Sequence, residues 1–274
     1  MTTFLCTACG TSYPDAAAPP ERCPICDDER QYVPATGQAW TTREALAKGH
    51  RNAWEHHEAG VFSIHPVPAF AINQRAFLLR TPQGNLLWDC VALLDAATIE
   101  LVRGLGGLRG IAISHPHYYT VMQDWAEAFG APIHLHQADR AWVMRPHPAI
   151  RFWDGDTLEL LPGATLIRAG GHFQGGTVLH WDGTADGKGL LLAGDIVQVT
   201  PGARRVSFMW SYPNMLPLPG ASVRQVAERL APWRYDRIYG GFRGQEVRQD
   251  GPALVARSAA RYLELLEGVS AAPR

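Results

Sequence analysis

Four of the five cysteines form two identical spacings near the start of the chain. Cys6 and Cys9 are one Cys-x-x-Cys pair, and Cys23 and Cys26 are a second pair, with residues 10–22 between them. Each pair places two thiolates on one tight turn, and two such turns can close a tetrahedron around one metal ion. Four sulfur ligands favour zinc or iron over calcium or magnesium. The spacing therefore predicts a metal ribbon over residues 1–35.

A second group of residues with ligand chemistry is spread along the rest of the chain. His115 and His117 follow the apolar stretch RGIAIS, His172 follows two glycines, and Asp195 ends the stretch GLLLAGD. Loops at strand ends collect functional side chains, and an extended His-x-His spacing turns both imidazoles to one side. Three imidazoles and a carboxylate suit zinc, iron or manganese. The pattern indicates a metal site built from distant parts of the chain.

Both groups resemble known metal sites. The segments CTACG and CPIC resemble a rubredoxin-type ribbon, which leaves both zinc and iron open as the ion. From about Val61 onwards the chain resembles the metallo-β-lactamase-fold hydrolases, a superfamily that includes glyoxalase II-type thioesterases. Its first motif, His-x-His-x-Asp-His, corresponds to residues 115–120, its third histidine to His172 and its bridging aspartate to Asp195. The resemblance implies an α/β fold, an αββα sandwich, preceded by a small metal-ribbon domain.

Three of the family's ligands are replaced in this sequence. Tyr119 and Thr120 stand where the first motif has its Asp and its last His, and the family's final His falls within YGGF, residues 239–242. By resemblance these ligands belong to the second metal, and a neutral phenol or hydroxyl coordinates more weakly than carboxylate or imidazole. We therefore predict a degenerate second site and a mononuclear centre held by His115, His117, His172 and Asp195.

A single metal ion could still hydrolyse a carbonyl substrate. Metal binding lowers the pKa of a water toward about 7, and the ion polarises an ester, thioester, lactone or amide carbonyl. Asp195 could orient the water or accept its proton. Tyr118 and Tyr119 could donate a hydrogen bond to a developing oxyanion, or simply fill the space of the second metal. We predict a metallo-hydrolase that uses single-metal-bound hydroxide, with one catalytic zinc, one structural zinc in the ribbon, and iron open at either site.

Two other functions fit the same residues. His115, His172 and Asp195 match the two-histidine-one-carboxylate set of non-haem iron oxygenases, and persulfide dioxygenases of this superfamily use one iron there, by resemblance. Those enzymes retain the Asp and His that are missing here, which weighs against this alternative. The other alternative is a non-enzymatic metal-binding or partner-binding protein with a vestigial site. A closed four-cysteine ribbon would be structural, or would transfer electrons if it held iron.

The segments between these residues have the periodicity of an α/β protein. Short apolar runs from Val61 onwards predict strands, TIELVRGL and VMQDWAEAF predict helices, and two helices near residues 221–230 and 252–266 flank the strand RIYGG. Thr41 and Glu44 form a capping-box pattern, which predicts a helix from Thr41 to about Glu58. The predicted domains are the ribbon over 1–35, a linker helix within 36–60, and the metallo-β-lactamase-like domain over 61–274.

The composition indicates which kinds of partner and which cellular compartment to expect. The 274 residues carry 25 Lys+Arg and 26 Asp+Glu, a formal net charge of -1, which argues against a nucleic-acid partner. No apolar run reaches about 18 residues, and the start lacks a signal-peptide pattern, so we expect a cytoplasmic protein without membrane contact. Residues 139–156 and 207–220 are rich in Trp, Met, Phe and Pro. They would line a pocket for an apolar or aromatic small-molecule substrate, or form a homodimer interface.

Overall fold

The computed structural model describes residues 1–268, so residues 269–274 of the predicted domain 61–274 lie outside the described part. The chain divides into two compact units, Met1–Asp154 and Gly155–Arg274. We call them the N-terminal unit and the C-terminal unit. Each unit contains one large sheet and the helices that follow its strands in sequence. No helix in the described part is both long enough and apolar enough to cross a membrane.

The N-terminal unit begins with a small two-stranded sheet that contains the cysteines. Strand β1 (Phe4–Cys6) pairs antiparallel with β2 (Trp40–Thr42), and the short helix α1 (Pro24–Asp27) lies between them in sequence. Apart from the cysteines, its buried apolar side chains are few, with Leu5 and Ile25 among them. A core of this size is too small to stabilise an independent fold, so the segment depends on a staple such as a metal ion.

A seven-stranded sheet forms the body of the N-terminal unit. Its strands run in sequence order, and the first four are antiparallel whereas the last three are parallel to their predecessors. The parallel pairs require crossovers, and helices supply the first two. The strands are β3 (Arg51–Glu58), β4 (Val61–Val67), β5 (Ala76–Thr81), β6 (Gly84–Trp88), β7 (Gly110–Ala112), β8 (Ile133–His136) and β9 (Ile150–Trp153); the helices are α2 (Arg43–Gly49), α3 (Ala96–Gly104) and α4 (Met122–Phe129).

The predicted linker helix from Thr41 to Glu58 is wrong in its second half. The helix covers only Arg43–Gly49, and Thr42 rather than Thr41 caps it by accepting a hydrogen bond from the Ala45 amide at 3.2 Å. Residues Arg51–Glu58 instead form β3, paired with β4. The backbone of Asn52 donates to the Asp95 carboxylate and its side chain donates to the Leu93 carbonyl. These tertiary bonds outweigh a helical propensity that is weak in any sequence.

The C-terminal unit has a six-stranded sheet in the order β10-β11-β12-β13-β18-β19, in which β13 and β18 are parallel and the other neighbours antiparallel. The two predicted tail helices are present, as is the strand between them. Its elements are β10 (Thr157–Leu161), β11 (Ala164–Arg168), β12 (Thr177–Trp181), β13 (Leu190–Gly194), β14 (Gln198–Val199), β15 (Val206–Ser207), β16 (Met209–Ser211), β17 (Leu216–Pro217), α5 (Gly220–Leu230), β18 (Arg237–Gly240), β19 (Glu246–Val247) and α6 (Gly251–Leu266). The small hairpins β14–β15 and β16–β17 were not predicted.

Candidate metal centres

The four cysteines of the ribbon lie together, with their sulfur atoms all within 4.8 Å of one another. The Sγ atoms of Cys6 and Cys26 are 3.4 Å apart, and those of Cys9 and Cys23 are 3.7 Å apart. These distances are far too long for a disulfide. A tetrahedron with zinc–sulfur bonds of 2.3 Å has sulfur–sulfur edges of about 3.8 Å. The donor set therefore fits a closed four-sulfur metal site.

Local backbone geometry brings the first pair of thiols onto one turn. The Gly10 amide donates to the Cys6 carbonyl at 2.8 Å, and the Cys6 amide donates to the Thr11 carbonyl at 3.0 Å. Gly10 has φ +78°, a left-handed conformation that glycine adopts without strain. In the second pair, the Cys26 amide donates to the Cys23 carbonyl at 2.9 Å.

The surroundings of Cys23 favour its thiolate form. Hydrogen bonds from Cys26, Cys6 and Cys9 hold the pKa of the Cys23 thiol below its usual value. Burial raises the pKa of Tyr13, so its hydroxyl stays protonated and donates to the Cys23 sulfur at 3.1 Å. The Tyr13 ring packs edge-on against Trp40 at 5.1 Å. Such hydrogen bonds from outside the ligand set orient the ligands of a metal site.

Within the N-terminal unit, His115 and His117 lie side by side and are buried. Their ring centroids are 5.0 Å apart, and a nitrogen of each lies within 4.8 Å of the other. We expected an extended backbone here, and that expectation is wrong: Pro116–Tyr118 is a 3₁₀ turn closed by a bond from the Tyr118 amide to the His115 carbonyl. Proline at the first position of the turn favours it, because the ring fixes φ.

Two residues that the sequence analysis missed position the start of this loop. The Ser114 hydroxyl lies 2.9 Å from Nδ1 of His115, and the Ser114 amide donates to the Asp89 carboxylate at 2.7 Å. Asp89 follows β6 and is buried. Because Nδ1 of His115 is engaged by Ser114, Nε2 is the nitrogen of this imidazole that could bind a metal ion.

In the C-terminal unit, the loop after β11 presents His172. Gly170 and Gly171 have φ +75° and +86°, and a Cβ at Gly171 would lie 3.1 Å from the Leu218 side chain, so glycine is needed for this turn. Nδ1 of His172 lies 2.8 Å from the Trp210 carbonyl and can only donate to it, so Nε2 is again the nitrogen that could bind a metal ion. Trp210 could not be predicted from the sequence, since any residue can supply a carbonyl.

Asp195 lies beside His172 in the same unit. It follows β13 directly, is buried, and has a carboxylate oxygen within 4.8 Å of a nitrogen of His172. Tyr212 joins the two, because its hydroxyl donates to the Asp195 carbonyl at 2.6 Å and its ring packs edge-on against His172 at 5.5 Å. Burial, reinforced by the charge of Asp195, raises the pKa of Tyr212 well above its usual value, so it remains a donor.

Tyr118 and Tyr119 are both buried in the hydrophobic core of the N-terminal unit. The Tyr118 ring meets His115 edge-on with 4.6 Å between centroids. Burial, together with the negative charge of Asp139, raises the pKa of Tyr119 well above its usual value. Both phenols are therefore packed side chains, and their catalytic role stays a prediction.

The two aromatic-rich segments differ in exposure. In the first segment, residues between 140 and 152 form the walls of a cavity of about 550 Å³, and these walls are both apolar and cationic. Arg140 stacks over Phe152 at 3.7 Å. In the second, Phe208 and Leu218 are buried whereas Met215 is 82% exposed. The predicted apolar substrate and the homodimer interface both stay predictions.

No model of a known protein family matches the chain. Its sequence is 45% identical over 268 residues to YmaE of Bacillus subtilis (strain 168), which is described as an uncharacterized protein, and the match covers 97% of both chains. The chain belongs to the YmaE family.

Solved structures show the fold of this YmaE-family protein. A metallo-β-lactamase with a HARLDQ motif from Cronobacter sakazakii is 22% identical with a TM-score of 0.51, over 83% of this chain and 99% of its own. The DIM-1 metallo-β-lactamase is 14% identical with a TM-score of 0.57, over 80% and 99%. TTHA1623, solved in a di-iron-bound form, is 21% identical with a TM-score of 0.52, over 72% and 98%. These likenesses confirm the predicted metallo-β-lactamase fold.

Proposed function

We propose that this YmaE-family protein is a metal-dependent hydrolase of a carbonyl substrate, with one metal ion bound jointly by His115, His117, His172 and Asp195. The observation that carries the proposal is that each unit presents a buried pair of ligand side chains at strand ends, and each pair includes an imidazole oriented through Nδ1. Histidines oriented in this way are typical of metal ligands.

The number of ligands supports a shared ion. The first pair has two imidazoles, and the second has one imidazole and one carboxylate. Each pair supplies only two of the four ligands of the proposed tetrahedral site, so neither pair suffices for tight binding by itself. A bound cation would also offset part of the cost of burying three imidazoles and a carboxylate. One ion bound by both pairs satisfies both requirements.

The donor set fits a borderline-soft divalent ion such as zinc or iron. When bound, such an ion lowers the pKa of a coordinated water and polarises a carbonyl oxygen. The Asp195 carboxylate is the group of this chain that can accept the proton of an attacking water, because it is an acceptor in a buried site. Tyr212 fixes its backbone by the 2.6 Å bond to the Asp195 carbonyl.

The substrate class follows from chemistry rather than from a bound ligand. We propose an ester, thioester or lactone, which includes the thioesters that glyoxalase II-type enzymes cleave. Zinc is our proposed ion at this centre and in the ribbon, and the protein acts in the cytoplasm. Because TTHA1623 was solved in a di-iron-bound form, iron is the alternative to zinc at either site.

Replacement of His172 by Ala tests the proposal. We expect His172→Ala to keep the fold, to lose one metal ion per chain, and to lose on the order of a thousandfold in kcat/KM on whichever ester, thioester or lactone of a chromogenic panel the native protein cleaves. His56→Ala is the matched control, because His56 is an exposed histidine that contacts the Phe62 ring.

Circular dichroism, metal analysis and oxygen uptake complete this experiment. A native protein that contains zinc and hydrolyses a panel member supports the proposal. If the native protein contains iron, consumes oxygen and hydrolyses no panel member, the hydrolase proposal is wrong and the dioxygenase alternative takes its place. Equal hydrolysis by native protein and His172→Ala would contradict the hydrolase proposal.

A further inference from the structure

The ribbon and the histidine loop, defined as residues 114–120, are in contact inside the N-terminal unit, where Ser12 of the ribbon bonds to Thr120 of the loop. Ser12 donates two hydrogen bonds to the carbonyl of Thr120, one from its amide and one from its hydroxyl, each 3.0 Å long. Both residues are 1% exposed, so water does not compete for these bonds. The pair links a residue three positions after Cys9 to a residue three positions after His117.

Backbone packing strengthens the same contact. A Cβ at Gly10 would lie 3.0 Å from the Cβ of Ala92 and 3.3 Å from the Cγ2 of Thr120. The cysteine turn therefore lies directly against the end of the histidine loop. Such close approach leaves no room for the loop to shift without moving the ribbon.

Thr120 needs this support because its backbone is unfavourable. Its φ is +37°, in the left-handed region that a β-branched residue rarely adopts. A conformation of this kind persists only where surrounding contacts hold it. The other end of the loop is held by the bond from the Ser114 amide to Asp89. The conformation of His115 and His117 is thus fixed at one end by the core and at the other by the ribbon.

We propose that the four-cysteine ribbon positions the histidine loop through Ser12, so that metal binding by the cysteines raises the affinity of the histidines for their own ion. This inference rests on the proposed function in one respect, the binding of a metal ion by His115 and His117. Ser12 is a positioning residue, since it acts through Thr120 and touches neither imidazole.

The mechanism of the coupling follows from the small core of the ribbon. Few of its side chains are apolar and buried, so metal binding supplies much of its folding free energy. An ordered ribbon presents Ser12 to Thr120, and an unfolded ribbon does not. By linkage, the ion at the histidines must in turn strengthen metal binding by the cysteines by the same factor.

A cobalt titration of the full chain tests the coupling. Cobalt bound by four cysteines shows intense thiolate charge-transfer bands, whereas cobalt bound by imidazoles and a carboxylate does not, so the two ions are distinguished by their spectra. Ser12→Ala keeps the amide bond to Thr120 and loses the hydroxyl bond, so we expect it to bind the first ion, at the ribbon, as the native protein does. It should bind the second ion about tenfold more weakly, at the low end of the loss that follows when a group that supports a metal site is removed.

Thr7→Ala is a closely matched control. Thr7 lies in the same ribbon, and its amide and hydroxyl both donate to one carbonyl, that of Ala39, at 2.9 and 3.2 Å. We expect this variant to bind both ions with native affinity. Native affinity of Ser12→Ala for the second ion, or an equal loss in both variants, would overturn the proposal.

Hydrogen exchange separates this inference from the proposed function. In the zinc-loaded ribbon, Ser12→Ala should speed exchange of the Tyr118, Tyr119 and Met122 amides about fivefold, because these amides bond within or next to the loop, and Thr7→Ala should not. A native protein that binds cobalt only at the cysteines would contradict the proposed function and, with it, the coupling of the two ions, whereas the exchange measurement would still test the positioning role of Ser12. Unchanged exchange in Ser12→Ala would contradict the positioning role of Ser12.

Discussion

At the scale of single residues, the orientation of each imidazole is the feature that gives the candidate centre its chemistry. Ser114 engages Nδ1 of His115 and the Trp210 carbonyl engages Nδ1 of His172. In both cases Nε2 becomes the nitrogen that can bind a metal. The two units reach the same result by different means, one with a side chain and the other with a backbone carbonyl.

Tyr118 is the better placed of the two tyrosines to assist catalysis, because its ring contacts His115. We expect Tyr118→Phe to keep both metal ions and to lower kcat about a hundredfold, as is usual when one hydrogen bond to an oxyanion is removed. Steady-state kinetics on the substrate of the native protein would measure this, with Tyr235→Phe as the control for removing a buried hydroxyl. An unchanged kcat would show that Tyr118 serves packing only.

Residue types alone identify the candidate ligands but not the groups that orient those ligands by hydrogen bonds. Cysteine pairs and histidines next to apolar runs are recognisable because few other residues share their chemistry. Ser114 was adjacent to His115 in the sequence and could have been suspected, whereas the Trp210 carbonyl could not. Asp89 is distant in sequence, and its bond to the Ser114 amide depends on the pairing of β6 with β7.

At the scale of elements, the ribbon is the part of the fold that depends most on a metal ion. We expect Cys23→Ser to lose one metal ion and to expose residues 1–35 to proteolysis, because three thiolates and a small core hold the segment poorly. Cys90→Ala is the control, since Cys90 lies in the apolar core of the N-terminal unit. Limited proteolysis and metal analysis measure both effects.

A protease-resistant ribbon without bound metal would contradict that account. It would mean that buried side chains such as Tyr13 and Ile25, together with the contact of Leu5 with the main core of the unit, hold the segment by themselves.

Elements with a strong apolar period were predictable, and those defined by tertiary bonds were not. The tail helices and the four strands before Asp195 follow from their patterns. The segment Arg51–Glu58 has no clear period of its own, and pairing with β4 makes it a strand. The strand β9 was missed because its aromatic residues suggested a pocket or interface segment.

At the scale of the whole molecule, the predicted ligands are divided between the two compact units. His115 and His117 belong to Met1–Asp154, and His172 and Asp195 belong to Gly155–Arg274. The resemblance to the metallo-β-lactamase-fold hydrolases predicted one domain over residues 61–274, and that domain stays a prediction. Sequence patterns report local periodicity and do not show which strands share a sheet, so the division after Asp154 was not predictable.

The metal content of three variants tests the central claim most directly. If both pairs bind one ion, the native protein holds two metal ions per chain, and His115→Ala and His172→Ala each hold one. The double variant also holds one, because both substitutions remove the same ion and leave the ribbon ion in place. Three ions in the native protein, or a double variant that loses more metal than either single variant, would show that the pairs bind separate ions and would contradict the account.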